Sequence, residues 1–328
     1  MKGHYPHADL SPRARIALAE MSGGAQTGGR GEAAMAFATN GAVTIHYERM
    51  AAGDGPMVIL LAGAGRPSTD FDYGFCAPLV AAGFVPIRID SRDTGRSTAL
   101  VDDVPDLHAV KAAALGQGDA PPPYGIADMA ADVLAVMEAE KIDAAHLVGR
   151  SIGGLVAQQL AVQAPGRVLS LSLVMAMSRS MADAVPDAAL DRLAADHIPD
   201  EDAYVARQLG VAQANGMAAD FDAGRVAEEA RTAWRHGVHR GGTARHFAAS
   251  LAAPDLRPAL GALCVPTLIL HGRHDKVIPV ARALETAEAV SGAIIEIDEQ
   301  MAHDGPPRLR AAWGKRIAAH LAGSPNTT

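Results

Sequence analysis

The apolar positions of this chain fall into short continuous runs set apart by longer amphipathic stretches. Met57–Leu61 ends in Ala-Gly-Ala-Gly, Val85–Ile89 ends at Asp90, Ala145–Val148 ends at Gly149, and Thr267–Leu270 ends at His271-Gly272. Leu169–Met175 and Ala293–Ile297 have the same character, and Ala42–Glu48 reads as a further strand ahead of them. Apolar runs this short, bounded by turn residues, suit strands buried on both faces. Between them, Ile126–Lys141 places Asp128, Asp132 and Glu138 along one polar side of a helix, and Leu155–Gln163 forms another helical stretch. Strands alternating with helices predict an α/β architecture with a mostly parallel, doubly wound sheet.

The rhythm breaks twice. Residues 178–255 are Ala- and Asp-rich, with helix-like pieces and no clear strand. An insertion there, before the last two strands, is expected to form a helical cap over the strand ends, where open α/β sheets bind ligands. Residues 1–37 read as an arm, with a short helix from Ser11-Pro12 to Met21 followed by the Gly-rich stretch from Ser22 to Gly31. The core is then expected in 38–177 and 256–328.

Composition narrows the function classes. A formal net charge of −8 gives no reason to expect nucleic acid or an anionic membrane surface as partner. No segment is apolar enough over sufficient length to span a membrane, and Met1–Glu20 lacks the apolar stretch of a signal peptide. Two cysteines, Cys76 and Cys264, exclude a disulfide scaffold; both sit in apolar surroundings, read as buried free thiols, and fit a reducing cytoplasm. The most basic run, Arg235 to His246, has no Cys or acidic residue within it to complete a metal site, and reads as a solvated helix end and turn.

Chemistry concentrates in three places. Gly149-Arg150-Ser151-Ile152-Gly153-Gly154 follows a predicted strand and opens a predicted helix. A nucleophilic serine needs such a sharp turn, and only small residues two positions to either side permit it. A serine also needs a base. Of 13 histidines, His303 lies between the last strand and the final helix, within reach of the strand ends. His146 and His271 read as packing residues, and His274 is the rival. Asp275, on the loop after Thr267–Leu270, is the expected acid that fixes the imidazole tautomer; the competing reading has it cap a helix beginning near Pro279. The oxyanion hole is expected from the N–H of Ile152 and from the loop after Leu61, with Ala64 favoured and Gly65 the alternative. No Gly-Lys-Ser/Thr follows that Gly-rich loop, which argues against a phosphate cradle. The charges of Asp90-Ser91-Arg92-Asp93-Thr94-Gly95-Arg96-Ser97 are expected to hold a tight turn, rather than to bind substrate through Arg92 or Arg96.

With these pieces assembled, the chain resembles the α/β-hydrolase fold, and within it the aclacinomycin methylesterase-like esterases. The resemblance rests on Asp90–Thr98, Tyr124-Gly125, His146–Gly154, Arg240–Arg245, Pro266–Gly272 and Met301–Asp304, and spans roughly 40 to 322. It departs at Ala62-Gly63, where relatives often have His-Gly or Met-Gly, at Ala302, often Gly, and at Arg150, often neutral. It implies a serine hydrolase acting through an acyl-enzyme on a small to medium apolar ester or lactone, with no metal and no cofactor; a homo-oligomer is left open. The same triad serves lactonases, carbon–carbon bond hydrolases and aminopeptidases, and a ligand sensor on this scaffold is the alternative from another class. Arg150, Phe71, Tyr73, Met175, Met177 and Met181 are the candidate substrate-lining residues, each of the apolar ones also an ordinary core position.

Overall fold

The computed structural model describes residues 36–100, 104–194 and 198–325. The expected Ser11–Met21 helix and Gly-rich stretch lie outside the described residues. Eight strands form one sheet: β1 Ala36–Asn40, β2 Val43–Arg49, β3 Met57–Leu61, β4 Val85–Ile89, β5 Ala145–Arg150, β6 Val168–Val174, β7 Thr267–Gly272 and β8 Ile294–Asp298. Their spatial order is β1-β2-β4-β3-β5-β6-β7-β8. The first two are antiparallel to their neighbours and the rest run parallel, so the mostly parallel doubly wound sheet is as expected.

The pleat sends alternate residues to opposite faces, and both faces are apolar. Ile59, Leu61, Ile87, Leu147, Leu171 and Ile269 pack on one side with helices α3 (Ile126–Ala139) and α4 (Ile152–Gln163). Val58, Leu60, Val148, Val174, Leu268 and Leu270 pack on the other with α1 (Tyr73–Ala81) and α11 (Pro307–Ala322), through Phe75, Leu79, Trp313 and Ile317. Two-sided burial explains why the central strands read as unbroken apolar runs. β8 differs: as an edge strand it leaves Ile294 and Glu296 exposed.

β1 lies ahead of the expected first strand and is a strand that the apolar pattern does not mark. Its pairing with β2 closes through Gly41-Ala42, with Gly41 at φ 60°. Gly at the first position of a two-residue loop is the signal for a tight hairpin.

A helical insertion separates β6 from β7, as expected. It contains α5 (Asp187–Ala194), α6 (Glu201–Asn215), α7 (Ala223–His236), α8 (Gly242–Leu251) and the short α9 (Arg257–Leu260). α6 and α7 share a small core of Tyr204, Val205, Ala230 and Ala233. After β7 come α10 (Val280–Ala289) and β8; α2 (Leu107–Ala114) precedes α3.

Two expectations are corrected. Cys76 is buried but Cys264 is exposed. It lies between Leu263 and Val265, which turn toward the core in the extended approach to β7, so the intervening side chain faces out. The run from Arg235 to His246 is not a solvated helix end. Arg235 and Arg240 are exposed, but Arg245 and His246 are buried and His236 and His239 half-buried. The run docks on the loop after β4: His236 Nε2 lies 2.7 Å from Asp90 Oδ2, and His239 Nε2 2.8 Å from the Gly95 carbonyl. The guanidinium of Arg245 donates to both oxygens of Asp93, at 2.9 and 2.7 Å. Sequence alone could not supply these partners because they lie 144 to 152 residues away.

Candidate active site

β5 ends at Arg150, and Ser151 sits between it and α4 with φ 55° and ψ −122°. This is a strained conformation for a residue with a Cβ, held because the surroundings leave no alternative. The flanking glycines explain how. A methyl on Gly149 would collide with the Gly153 carbonyl, one on Gly153 with the Leu61 carbonyl, and one on Gly154 with Ala176. The backbone is pinned by the Ser151 N–H donating to the Val174 carbonyl (2.9 Å), and by the Ser151 carbonyl accepting from Gly154 (2.9 Å). The first N–H groups of α4 have no acceptor within the helix and carry its positive dipole end.

In parallel register, Leu61 of β3 pairs with Gly149 of β5. The Ala62-Gly63-Ala64-Gly65 loop therefore leaves the sheet level with the serine. A methyl on Gly63 would stand 3.6 Å from Ser151 Cβ. Gly65 donates its N–H to His246 Nδ1 at 3.2 Å, and a side chain there would strike Thr243. Gly65 is thus committed to α8, while Arg66 closes a turn onto the Gly63 carbonyl at 3.1 Å.

Asp275 follows β7. Its Oδ1 accepts the N–H groups of Val277 (2.9 Å) and Ile278 (2.7 Å), and its Oδ2 lies 2.7 Å from His303 Nδ1. The carboxylate thus both holds its own turn and orients the imidazole. Asp275 is buried, and the His303 side chain is 12% exposed. The His303 N–H donates to the Asn215 carbonyl at the end of α6 (2.9 Å), so the insertion grips the loop that carries the histidine. No hydrogen bond joins Ser151 to His303. A methyl on Gly305, two residues after His303, would lie 3.5 Å from Nη1 of Arg150, the residue before Ser151.

The other histidines have packing partners. His146 Nδ1 lies 2.8 Å from Ser170 Oγ, and its ring meets Phe84 edge-on. His271 is buried, with Nε2 2.9 Å from the Ile278 carbonyl, and burial pushes its pKa down. His274 donates its backbone N–H to Met301.

Arg150 is in a part-buried ion pair. Its Nη1 lies 2.6 Å from Asp70 Oδ2, and Arg66 Nε lies 3.1 Å from the other oxygen. Burial pushes the Asp70 carboxyl up, but Arg150, Arg66 and Arg310 outweigh it and hold it well below the usual range. Arg66 continues to Gln208 of α6 at 2.9 Å. Phe71 and Met175 pack in the core shared with α1 and α11, Met177 and Met181 in the core of the opposite face, and Tyr73 is exposed.

The alpha/beta hydrolase fold family matches residues 55–303, which contain the serine elbow, the acid and the histidine. The chain belongs to the alpha/beta hydrolase family. Among similar proteins, one from Variovorax paradoxus (strain S110), named "Putative carbamate hydrolase RutD", is 35% identical over 85% of this chain and 96% of its own length. Rhodomycin D methylesterase DnrP of Streptomyces peucetius is 28% identical over 86% and 96%. A solved hydrolase from Pseudomonas aeruginosa PA01 superposes with a TM-score of 0.67 at 25% identity, covering 89% of this chain and 99% of that one. No helix among the described residues of this alpha/beta hydrolase is long and apolar enough to cross a membrane.

Residues outside those expected from the sequence support the loops around Ser151. His246 is the main one: its Nδ1 accepts from Gly65, its Nε2 donates to the Arg92 carbonyl at 2.7 Å, and burial pushes its pKa down, so it stands neutral with the proton on Nε2. Asp93 is another, receiving Arg245, the Tyr124 hydroxyl (2.7 Å) and the Leu100 N–H (2.7 Å). The string Arg240–Arg245 marks the arginine but not its partner, which lies 152 residues away in the sequence.

Proposed function

We propose that the protein is a serine hydrolase cleaving carboxylic esters of small to medium size through an acyl-enzyme, with Ser151 as nucleophile, His303 as base and Asp275 as its orienting acid. The observation that carries this reading is the 2.7 Å contact between His303 Nδ1 and Asp275 Oδ2 on the loops after β8 and β7. It is supported by a serine held at φ 55° in a strand-to-helix elbow.

In this reading the carboxylate keeps the imidazole proton on Nδ1, leaving Nε2 to accept the Ser151 proton. The hydroxyl oxygen attacks the ester carbonyl, whose oxygen takes the negative charge and rests on the N–H groups of Ile152 and Ala64. Ala64 is preferred to Gly65 because the Gly65 N–H is already given to His246. Collapse of the tetrahedral species breaks the bond to the alcohol, which leaves with the proton from His303. Water, deprotonated by the same imidazole, attacks the acyl-serine and releases the acid. Side chains and water suffice for every step. Residues 178–255 act as the cap that shapes the pocket.

Similarity to the methylesterase over most of both chains favours methyl esters within the aclacinomycin methylesterase-like group. A second reading, carbamate hydrolysis, follows from the 35% identity to the Variovorax relative, since the same attack applies to a carbamate carbonyl. A fluorophosphonate probe should label the folded protein stoichiometrically, and the label should disappear in Ser151→Ala. Absence of labelling of the folded wild type would overturn the proposal in favour of a non-catalytic ligand sensor. With labelling established, initial rates on matched methyl esters, lactones and carbamates decide the substrate class.

A further inference from the structure

The run from Arg235 to His246 contains no acid, but the fold brings one to it. His236, the last residue of α7, converges with His46 from β2 and Asp90 from the loop after β4, and their polar atoms lie within 4.8 Å of one another. We propose that His46 Nδ1, Asp90 Oδ2 and His236 Nε2 form a binding site for a divalent transition metal of the zinc type, which clasps the cap to the sheet.

The arrangement suits a cation in three respects. Both imidazoles address the same carboxylate oxygen, His46 at 2.8 Å and His236 at 2.7 Å. The other oxygen, Oδ1, is held by the Ser68 N–H at 2.7 Å, which fixes the carboxylate so that Oδ2 faces the histidines. Two imidazoles and one carboxylate are a donor set for zinc, cobalt or nickel rather than calcium or magnesium. The Ser68 hydroxyl, 3.4 Å from His236 Nε2, offers a further oxygen in the cluster.

The placement of protons on His46 also favours a bound cation. Without a metal, His46 must place its proton on Nδ1 to donate to Asp90, and its buried Nε2 is then left with no hydrogen-bond partner. A buried acceptor without a donor is costly. A metal on Nδ1 moves the proton to Nε2, which then carries a positive edge toward the Glu48 carboxylate, with Oε1 at 3.8 Å and Oε2 held by Arg88 Nε at 2.8 Å. At that distance the carboxylate acts through its charge and not through a hydrogen bond. Ligand atoms now 2.7 to 2.8 Å apart need to spread to roughly 3.3 Å for tetrahedral bonds of about 2.0–2.1 Å. His236 can supply that movement at a helix end, where Gly237 follows at φ 141°.

The site uses none of Ser151, Asp275 or His303, so it stands or falls apart from the hydrolase reading. The full chain, stripped with chelator, is titrated with Zn²⁺ and with Co²⁺. The expected result is one equivalent bound, tetrahedral d–d absorption with Co²⁺, and a Zn²⁺-dependent rise in Tm. His236→Gln, whose amide can still donate to Asp90, should weaken Zn²⁺ at least 100-fold and abolish the Co²⁺ bands, and His236→Cys should restore both metal binding and colour. X-ray absorption at the zinc edge of the wild type should show two imidazoles and carboxylate oxygen, a measurement independent of whether any variant folds. Undiminished zinc affinity in folded His236→Gln, a zinc shell lacking two imidazoles, or no binding by the folded wild type would each overturn the site and leave a purely hydrogen-bonded cluster.

Discussion

The backbone N–H of Gly65 donates to Nδ1 of His246 across 3.2 Å, tying the loop beside the serine to α8 of the helical insertion. The ring's other nitrogen is fixed on the Arg92 carbonyl, so the imidazole cannot turn away. The loop that would offer the Ala64 N–H to an oxyanion is therefore set by a residue 181 positions further along the chain. His246→Ala frees this loop without touching Ser151, Asp275 or His303. Donor placement acts mainly on the transition state, so kcat for ester hydrolysis should fall about tenfold or more while KM moves little. Equal loss in kcat and kcat/KM identifies the positioning role; a change confined to KM would argue against it.

His246, His271 and His320 are all pushed below the ordinary histidine range, chiefly by burial. Unfolding returns each to about 6.5. Just below pH 6.5 the unfolded chain therefore binds more protons than the folded one, and stability falls as pH falls. Above that range this contribution is complete. Asp90 and Asp93 are also desolvated, but their hydrogen bonds outweigh burial and hold both carboxyls low, so their contribution is lost only below about pH 4. Tm should be level above pH 7, decline on acidification from about 6.5, and drop further below about 4. Thermal melts across pH check this, and His246→Gln should flatten the first decline.

How much of this was legible in the sequence follows from where each signal lies. Central strands such as β3 and β5 are buried on both faces and therefore advertise themselves as apolar runs. β1 has mixed burial at the sheet edge and left only its Gly41 turn as a sign. The serine elbow was visible because its demands are local: small residues at 149, 153 and 154 around one strained position. Asp275 and His303 were placed by loop position after strands, a rule of topology. The support behind the site was not visible, since Asp93 with Arg245 and Gly65 with His246 join residues more than 150 apart. Nor could the exposure of Cys264 be read from apolar neighbours whose side chains face the other way.

Arg245 and Asp93 form a buried pair with two contacts under 3 Å. Removing one partner strands the other in a low-dielectric setting. Arg245→Met should cost about 3–5 kcal/mol, seen as a lower denaturant midpoint with an unchanged m-value. Asp93 retains Tyr124 and Leu100 as donors, which places the loss toward the lower end of that range.

Gly153 tests the elbow by size alone. A Cβ there would run into the backbone carbonyl of Leu61, on a central strand that cannot move aside. Gly153→Ala should destabilise by about 1–3 kcal/mol, the usual cost of overpacking, and displace the Ile152 N–H with it. Chemical denaturation and turnover on the same sample should both show a loss. Wild-type turnover in Gly153→Ala would remove the case for a tightly specified elbow.

Asp275→Asn separates orientation from structure. The Asp275 carboxylate serves two masters: Oδ1 takes the N–H groups of Val277 and Ile278, and Oδ2 takes His303. In the asparagine variant the carbonyl oxygen stays on the two backbone donors, because an NH₂ group there would face hydrogens. That puts the NH₂ toward His303 Nδ1, which must then accept, forcing the imidazole proton onto Nε2. An imidazole protonated on Nε2 cannot take the serine proton. Turnover should fall by about 10³–10⁴-fold with fold and KM nearly intact, and NMR of the imidazole nitrogens should report the exchanged tautomer. Activity within tenfold of wild type would mean that this aspartate only holds its turn, and the role proposed for His303 would lose its principal support.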